Sequence, residues 1–166
     1  PTKGSVTRII RWLDGISDPE VRMAYDNYGN LTCTRDAKGN IATIAYDGSF
    51  TFPTVATTPP VGTNSVGFKT TTQYYGVDGV AADKGLYGQV KSVTDPNGAM
   101  GTTEYDAFGR KIKATAPDGS WAAWAYNNFG TVGSQHVLTT TSAGTSSWTY
   151  FDGLGRTTVA KKKGGP

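Results

Sequence analysis

Short runs that alternate apolar and polar residues follow one another along the chain, separated by turn signals. Residues 21–25 alternate apolar side chains with polar or small ones, and β-prone runs of similar length cover residues 31–34, 41–46, 90–93 and 121–126. Runs of this length and composition predict β-strands with one face partly buried. The pattern therefore predicts an all-β fold.

An aromatic residue followed by aspartate opens many of the turns between these runs. After the aromatic residue of Tyr25-Asp26, Tyr105-Asp106 and Phe151-Asp152, a glycine follows at the fourth position. Such an aspartate, or Asn127 in one copy, accepts hydrogen bonds from backbone amides two or three residues on and closes a turn. The glycine adopts the positive φ angle that a side chain opposes. We therefore interpret these acids as turn formers.

The spacing between these residues is regular. Four residues separate the aromatic from the first glycine, ten separate that glycine from a second, and seven lead to the next tyrosine, which gives a period of 21 residues. A fixed period in this range is typical of repeat architectures. We predict that these repeat positions are structural: Tyr25, Asp26, Gly29, Gly39, Tyr46, Asp47, Gly88, Gly98, Tyr105, Asp106, Gly109, Gly119, Tyr126, Gly130, Phe151, Asp152 and Gly155.

Each 21-residue unit predicts one β-hairpin plus the turn to the next hairpin. Residues 95–98 and 116–119 place proline and glycine where a type I turn with a following bulge requires them. Successive units then form an antiparallel meander, a continuous curved or spiral sheet of roughly ten to fourteen strands. The two end strands of such a sheet expose unpaired backbone groups.

The chain predicts a single domain over residues 1–166. Residues 1–24 hold the opening strands, with a strand over 5–13 and turns at Asp14-Gly15 and Asp18-Pro19; residues 25–87 hold the first repeats, and residues 88–166 the second. Residues 47–87 break the period, with strands expected over 50–55 and 68–75, a loop over 57–62 and a Gly/Asp-rich insertion over 76–85. A second insertion is expected between Thr139 and Ser147. No linker-like stretch separates domains.

The composition agrees with strands and turns and argues against several functions. The chain has 22 glycines and 8 prolines, and 11% of its residues are aromatic, which favours turns and strands over helices or disorder. The net charge of +3 comes largely from Lys161-Lys162-Lys163, a weak basis for nucleic-acid binding. No apolar run has the ~18 residues that span a membrane, and we expect no signal peptide within these residues.

Candidate catalytic or metal chemistry is sparse. His136 is the single histidine and Cys33 the single cysteine, and neither lies in a nucleophile signature. Zinc needs more such ligands than the chain offers, and calcium needs six to eight oxygens that isolated turns do not supply. Nothing selects a carboxylate pair for glycoside hydrolysis. We therefore expect no enzyme, no metal site and no cofactor.

Four tryptophans provide an alternative, a carbohydrate contact. Trp121 and Trp124 are three residues apart, so they face opposite sides of a regular strand. At least one of them is therefore expected to pack inside. The candidates for glycan contact are Trp12, Trp121, Trp124 and Trp148.

The repeat resembles a known family. The pattern Tyr-Asp-x-x-Gly-[Asn/Arg], at Tyr25–Asn30 and Tyr105–Arg110 and in the Phe151–Arg156 variant, is followed about ten residues on by a second glycine turn. This resembles the Rhs/YD-repeat family, which includes B/C shell components of bacterial toxin complexes and, distantly, teneurins. The resemblance covers about residues 20–165, with departures at Asn127 and after Gly130.

The resemblance implies a structural role. In this family hairpins stack side by side in a spiral sheet, which can close into a shell around a toxic C-terminal polypeptide. The repeats are not catalytic, and although residues 95–101 begin like a self-cleavage core, they do not continue like it. The implied protein is secreted or on the bacterial cell surface. Its partners would be flanking repeats or other copies, through the open sheet edges, and an enclosed or presented effector. The alternatives are a carbohydrate- or surface-binding β module and a self-associating extracellular assembly.

Overall fold

The computed structural model describes residues 4–13, 18–63 and 65–164, and these residues form an all-β structure. Thirteen strands are found in the described residues. They are β1 (Arg8–Ile10), β2 (Glu20–Tyr25), β3 (Leu31–Arg35), β4 (Ile41–Tyr46), β5 (Pro53–Thr57), β6 (Lys69–Tyr74), β7 (Val90–Thr94), β8 (Met100–Tyr105), β9 (Lys111–Thr115), β10 (Trp121–Asn127), β11 (His136–Thr141), β12 (Ser146–Phe151) and β13 (Thr157–Lys163).

The strands form one open antiparallel sheet in sequence order, from β1 to β13. Each strand pairs only with its neighbours in the chain, and every pairing is antiparallel. The predicted all-β meander is confirmed. Short turns between most of the strands favour this order, because a strand that reverses within a few residues has its predecessor beside it.

The two ends of the sheet are not equivalent. Even-numbered strands end at the row of turns that follows Tyr25, Tyr46, Tyr74, Tyr105 and Phe151. We call this row of turns the aspartate edge; it is distinct from the outermost strands, β1 and β13. At this edge five of the even strands bulge where they meet the next odd strand, as between Ala24 and Tyr25 and between Glu104 and Tyr105, whereas β10 pairs with β11 without a bulge. We call the opposite end the far edge.

Three predicted boundaries are wrong. The strand expected over 5–13 is reduced to Arg8–Ile10, the three residues that pair with β2. The strand expected over 50–55 starts only at Pro53, since Phe50 takes a positive φ of 58° in the preceding turn. The second insertion is a tight hairpin instead, with Thr141 and Thr145 bonding across the turn. The turn expected at Asp14-Gly15 and the last glycine of the final repeat, Gly165, lie outside the described residues.

Little of the described surface is buried deeply. Tyr75 and Val77, at 2% and 4% exposure, are the hydrophobic residues buried in the described part of the chain. Both belong to the segment that connects β6 to β7, which folds back over the sheet: the Tyr105 amide donates to the Lys84 carbonyl, and Lys84 pairs with Glu104. The core is therefore local, at the middle of the sheet.

Candidate functional site

The turn at Asp106 shows how one carboxylate organises the repeat. Asp106 Oδ1 accepts the backbone amides of Phe108 and Arg110, each at 2.9 Å. The Asp106 amide donates to the Arg110 carbonyl, and the Gly109 amide donates back to the Asp106 carbonyl. Gly109 has φ 78°. A type I turn followed by a left-handed residue has this bonding pattern.

The same turn recurs at both ends of the sheet. Asp26 and Asp152 repeat it at the aspartate edge, and Asp36 and Asp95 repeat it at the far edge. All eight glycines of the motif take positive φ, in these turns and in the others that connect the strands: Gly29, Gly39, Gly88, Gly98, Gly109, Gly119, Gly130 and Gly155. A single turn geometry therefore connects most of the strands.

Hydrogen bonds lower the pKa of the Asp36 and Asp152 carboxyl groups. At Asp152 the Arg156 amide, the Arg156 side chain and the Leu154 amide lower the pKa, outweighing the opposite effect of burial. At Asp36 the amide side chain of Asn40 is the main cause of the lowered pKa. The acids therefore stay ionised and bonded to their own turns, which leaves them poorly suited to act as general acids near neutral pH.

One turn lacks the aspartate of the motif, and one amide of the motif does not have the predicted role. In the turn after β9, Ala116 occupies the aspartate position, and Asp118 accepts the amide and the hydroxyl of Ser120. Asn127 remains in β10, where its side chain contacts the Ala125 carbonyl and His136. The expectation that Asn127 closes an Asx-type turn is therefore wrong, because strand pairing with β11 extends through it.

Asp47 is the most buried of the turn acids. It is 4% exposed, and it accepts the amides of Thr51 at 2.6 Å and Phe52 at 2.7 Å as well as the Ser49 hydroxyl. Burial opposes ionisation, but these hydrogen bonds outweigh it and lower the pKa of Asp47 to about 2. In this turn Phe50 takes the left-handed position that glycine fills elsewhere. Its ring stacks on Tyr28 of the neighbouring turn, with centroids 4.8 Å apart.

Tyrosine hydroxyls connect adjacent hairpins at the aspartate edge. The ladder between β3 and β4 covers only the residues near the far edge, and so does the ladder between β9 and β10. Towards the aspartate edge the hydroxyls bridge these strands, from Tyr46 to the Leu31 carbonyl at 3.2 Å and from Tyr126 to the Lys111 carbonyl at 3.0 Å. Tyr25 and Tyr74 make the same kind of bond, to Val6 and Pro53, both at 2.9 Å.

The residue after the turn glycine reaches the next turn or the next tyrosine. Asn30 donates to the Phe50 carbonyl, and Gln89 donates to the Gly109 carbonyl at 2.9 Å. Arg110 is bound to Asp106 Oδ2 at 2.7 Å, and its guanidinium lies 4.1 Å from the ring centroid of Tyr126. A cation over an aromatic face at this distance is attractive. Each turn is thus tied to the next along the aspartate edge.

Sequence reasoning missed the unit that opens at Tyr74. Tyr75 takes the aspartate position there: its amide donates to the Gln89 carbonyl and Gly88 donates back to Tyr75. Thirteen residues separate Tyr75 from Gly88, where three separate Asp106 from Gly109. The insertion thus lies inside a repeat turn. The spacing of Gly88, ten residues before Gly98, is the signal that located the end of this turn, but tyrosine in place of aspartate hid its start.

Gln135 is a second residue that the motif did not identify. It is 8% exposed, its side-chain oxygen accepts the Gly130 amide at 3.3 Å, and its side-chain amide donates to the Asp152 carbonyl. Gln89 does the same with the Leu86 amide and Gly109. In both cases an amide side chain stabilises a turn that departs from the aspartate pattern.

The single histidine and the single cysteine lie on strands that are far apart in the sheet order. His136 contacts the Ser134 carbonyl at 2.9 Å, the Asn127 side chain at 3.3 Å and the ring of Tyr150. Cys33 lies on β3, far from β11 in the sheet order. Within the described ranges no cluster of three metal-ligating side chains is present, and no helix there is long and apolar enough to cross a membrane.

The four tryptophans are spread over the sheet. Trp12 is 77% exposed beside β1, Trp124 and Trp148 lie partly buried on β10 and β12, and Trp121 is 36% exposed. Trp121 borders an open groove of about 700 Å³. Directly paired residues of adjacent strands share a face, and the pairs Trp121–Thr115, Thr115–Thr102 and Thr102–Ser92 therefore place one indole and three hydroxyls in a row.

Comparison with known proteins agrees with the repeat geometry. Residues 87–120 match the RHS Repeat family; this stretch runs from the end of the inserted turn to the turn at Gly119. The fold is similar to that in the crystal structure of TcdB2-TccC3-Cdc42, with a TM-score of 0.61 and 18% identity over 87% of this chain. The chain spans only 7% of that protein chain. No curated protein sequence matches.

The repeat match lies in the part of the sequence that carries the Tyr-Asp-x-x-Gly-Arg motif, and the structural match extends over most of the thirteen-stranded sheet. Residues 87–120 are therefore similar to an RHS repeat, and the fold of most of the sheet is similar to that of a toxin-complex protein, in agreement with the resemblance that the repeat motif indicates.

Proposed function

We propose that residues 1–166 act as one segment of a β-shell, whose flanking repeats or further copies pair with β1 and β13. The observation that carries this proposal is the open sheet: thirteen strands of the described residues are joined edge to edge, and within those residues both outermost strands have one unpaired side. Exposed sheet edges pair readily with other strands. The segment contributes sheet surface and repeated hydrogen-bonded turns to the shell, rather than a catalytic group.

The shell would enclose or present a C-terminal effector in a secreted or cell-surface bacterial protein. Family resemblance supports this part of the proposal. The carboxylates support a non-enzymatic role, because Asp26, Asp106 and Asp152 are bonded to amides of their own turns. We therefore assign no catalytic function to the repeats.

The decisive experiment uses the reading frame that surrounds these residues. We expect further repeats beside them, and a downstream polypeptide that resists protease until the sheet is unfolded by denaturant. In hydrogen exchange, the β1 and β13 amides should be protected in the longer protein and unprotected in the 166-residue chain. A reading frame without further repeats, together with unprotected edges in the longer protein, would contradict the proposal.

A glycan-binding module is a second candidate, favoured by the groove at Trp121. Sugars bind through stacking on aromatic rings and hydrogen bonds from hydroxyls, and the groove offers Trp121 beside Thr115 and Ser120. Thr115 and Thr102 lie on adjacent strands ~4.8 Å apart and place two hydroxyls beside the indole, whereas Ser92 is buried and donates its hydroxyl to Gln73.

The test of this candidate is a screen against immobilised glycans. Trp121→Ala should abolish specific binding, whereas Trp12→Ala, on the distant β1 side, should leave it unchanged. Absence of binding by the folded parent chain, or equal loss in both variants, would exclude the groove as the glycan site.

A further inference from the structure

The last turn of the sheet reproduces the Arg110 turn, without the ring that covers it. Arg156 binds Asp152 Oδ2 at 2.7 Å, the same bond that Arg110 makes to Asp106. The Arg110 guanidinium is stacked on Tyr126. The Arg110 side chain is 38% exposed, whereas the Arg156 side chain is 74% exposed. Arg156 is therefore held in position with its flat face open.

The backbone beside Arg156 is also equivalent to the backbone beside Arg110. The Lys111 carbonyl, directly after Arg110, accepts the hydroxyl of Tyr126. Thr157 follows Arg156 in the same way and begins β13. A tyrosine opposite Arg156 could therefore stack on the guanidinium and donate its hydroxyl to the Thr157 carbonyl. Phenylalanine could stack on the guanidinium but could not donate the hydrogen bond, and an aliphatic residue could make neither interaction.

The charge of β13 favours acidic residues at the other end of a strand that pairs with it. All seven residues of β13 are exposed, and it ends in Lys161, Lys162 and Lys163 at the far edge. The Lys161 ammonium already lies 5.2 Å from the ring centroid of Tyr150. A strand with acidic residues opposite this run gains favourable cross-strand pairs, and a basic strand loses them.

Strand direction argues against a second copy as the occupant. β1 and β13 run the same way, because each is an odd-numbered strand of an antiparallel meander. A second copy added in the same orientation would offer β1, which runs parallel to β13. A two-fold related copy would pair β13 with itself antiparallel, which would place residues 157–159 opposite the lysine run and supply neither an acidic residue nor a tyrosine.

We propose that β13 is a selective docking edge for an antiparallel partner strand whose N-terminal part is acidic and whose last residue is tyrosine. The tyrosine ring covers Arg156 and its hydroxyl binds the Thr157 carbonyl, while the acidic residues face Lys161–Lys163. This inference rests on the proposed function, because it names the kind of strand that continues the sheet at this edge.

The test measures binding of synthetic peptides to the full 166-residue chain. The peptide Glu-Thr-Glu-Thr-Val-Thr-Val-Tyr places acids opposite Lys163 and Lys161 and tyrosine opposite Arg156 in antiparallel register. Replacing its tyrosine by leucine should weaken binding about threefold to thirtyfold, the range of a cation–π contact with its hydroxyl bond. Phenylalanine should give an intermediate affinity. Replacing both glutamates by lysine should abolish measurable binding at low salt.

Variants of the protein separate stacking from charge. Arg156→Lys keeps the charge and loses the planar guanidinium, so it should bind the tyrosine and leucine peptides with similar affinity. Lys69→Gln, which removes a charge from β6 in the middle of the sheet, should retain the preference of the parent chain. Far-UV circular dichroism verifies that each variant is folded.

Each outcome has a separate meaning. Equal affinity of the parent chain for the tyrosine and leucine peptides, with β13 amides protected by both, would overturn the selection by Arg156 and leave pairing at the edge intact. No binding by any peptide would overturn the docking edge. The shell proposal would then fail only if β13 also stayed unprotected in the longer protein.

Discussion

Single carboxylates set the conformation of the turns. Each aspartate of the repeat accepts amides two and four residues ahead, as Asp26 does from Tyr28 and Asn30. The acid thus satisfies donors that strand pairing cannot reach, at the point where the chain reverses. Because a charged acceptor strengthens such bonds, the ionised form is the one that stabilises the turn.

Asp47 gives a pH prediction with a defined sign. Its pKa is lowered in the folded state from 3.8 to about 2, so its stabilising contribution is full above about pH 4 and is lost as the pH falls towards 2. We expect Asp47→Asn to lower stability at neutral pH and to flatten the pH dependence between 4 and 2. Urea unfolding at several pH values measures both effects.

The control for this measurement is Asp118→Asn, because Asp118 is exposed and bonds to Ser120 alone among the described residues. It should lower neutral-pH stability less and leave most of the acid dependence in place. An unchanged slope for Asp47→Asn would show that other acids control the acid unfolding.

The bridging hydroxyl of Tyr126 gives a second residue-level prediction. Tyr126→Phe keeps the ring over Arg110 and removes the bond to the Lys111 carbonyl. We expect a loss of about 1 kcal/mol in the free energy of unfolding. Tyr28→Phe, at a ring that is 64% exposed, should change it by less than about 0.5 kcal/mol. Equal effects of the two variants would argue against bridging between hairpins.

At the scale of the strand and turn, the left-handed residue fixes the register. Gly119 has φ 83°, and an added Cβ would contact nothing within 4 Å. Gly119→Ala therefore tests backbone conformation alone, with an expected loss of about 1–2 kcal/mol in unfolding free energy. Gly119→Asn should recover part of this loss, since asparagine tolerates the conformation.

Gly101 is the matched control for that substitution. It lies within β8 without positive φ, and an added Cβ would meet the Thr115 carbonyl at an ordinary 3.5 Å. Gly101→Ala should be neutral or stabilise by about 0.5 kcal/mol. Thermal unfolding of the two variants compares them directly, and a larger loss at Gly101 would mean that crowding in the groove, rather than φ, controls these sites.

Sequence reasoning located the elements whose conformation is determined by residues close to one another in the sequence. β4 begins and ends at the predicted residues 41 and 46, because alternation and flanking glycine turns both indicate it. Phe50 was misplaced because its left-handed conformation is held by stacking on Tyr28, a contact between turns that are distant in sequence. The hairpin at Thr141–Thr145 was missed because hydroxyls replace the aspartate.

The candidate site shows the same difference between contacts within one turn and contacts between hairpins. The turn acids and glycines follow from their spacing, since each acts within five residues. The bridges made by Tyr46 and Tyr126, the stacking of Arg110 and the amide bonds of Gln135 join different hairpins. Pairing of hairpins decides those contacts, and a single sequence without pairing information does not contain them.

The whole molecule is an extended wall with a local core. Its accessible surface is 10879 Å², whereas a compact protein of 17.5 kDa has roughly 7,900 Å². Each strand contacts only its sequence neighbours. Stability in such an array is approximately a sum of unit and nearest-neighbour terms, so the edges open more easily than the middle.

Hydrogen exchange should reveal this gradient. The segment around Tyr75 and Val77 covers the middle of the sheet and bonds to β8 through Tyr75 and Lys84, so amides of β6 to β8 should exchange most slowly. Those of β1 and β13, with one neighbour each, should exchange fastest. Tyr75→Leu removes the hydroxyl bond to the Thr103 carbonyl and part of the buried ring, and should accelerate exchange in β6–β8 while leaving β12 and β13 unchanged. Uniform exchange across all strands, or equal acceleration everywhere in the variant, would instead show that the wall unfolds as one cooperative unit.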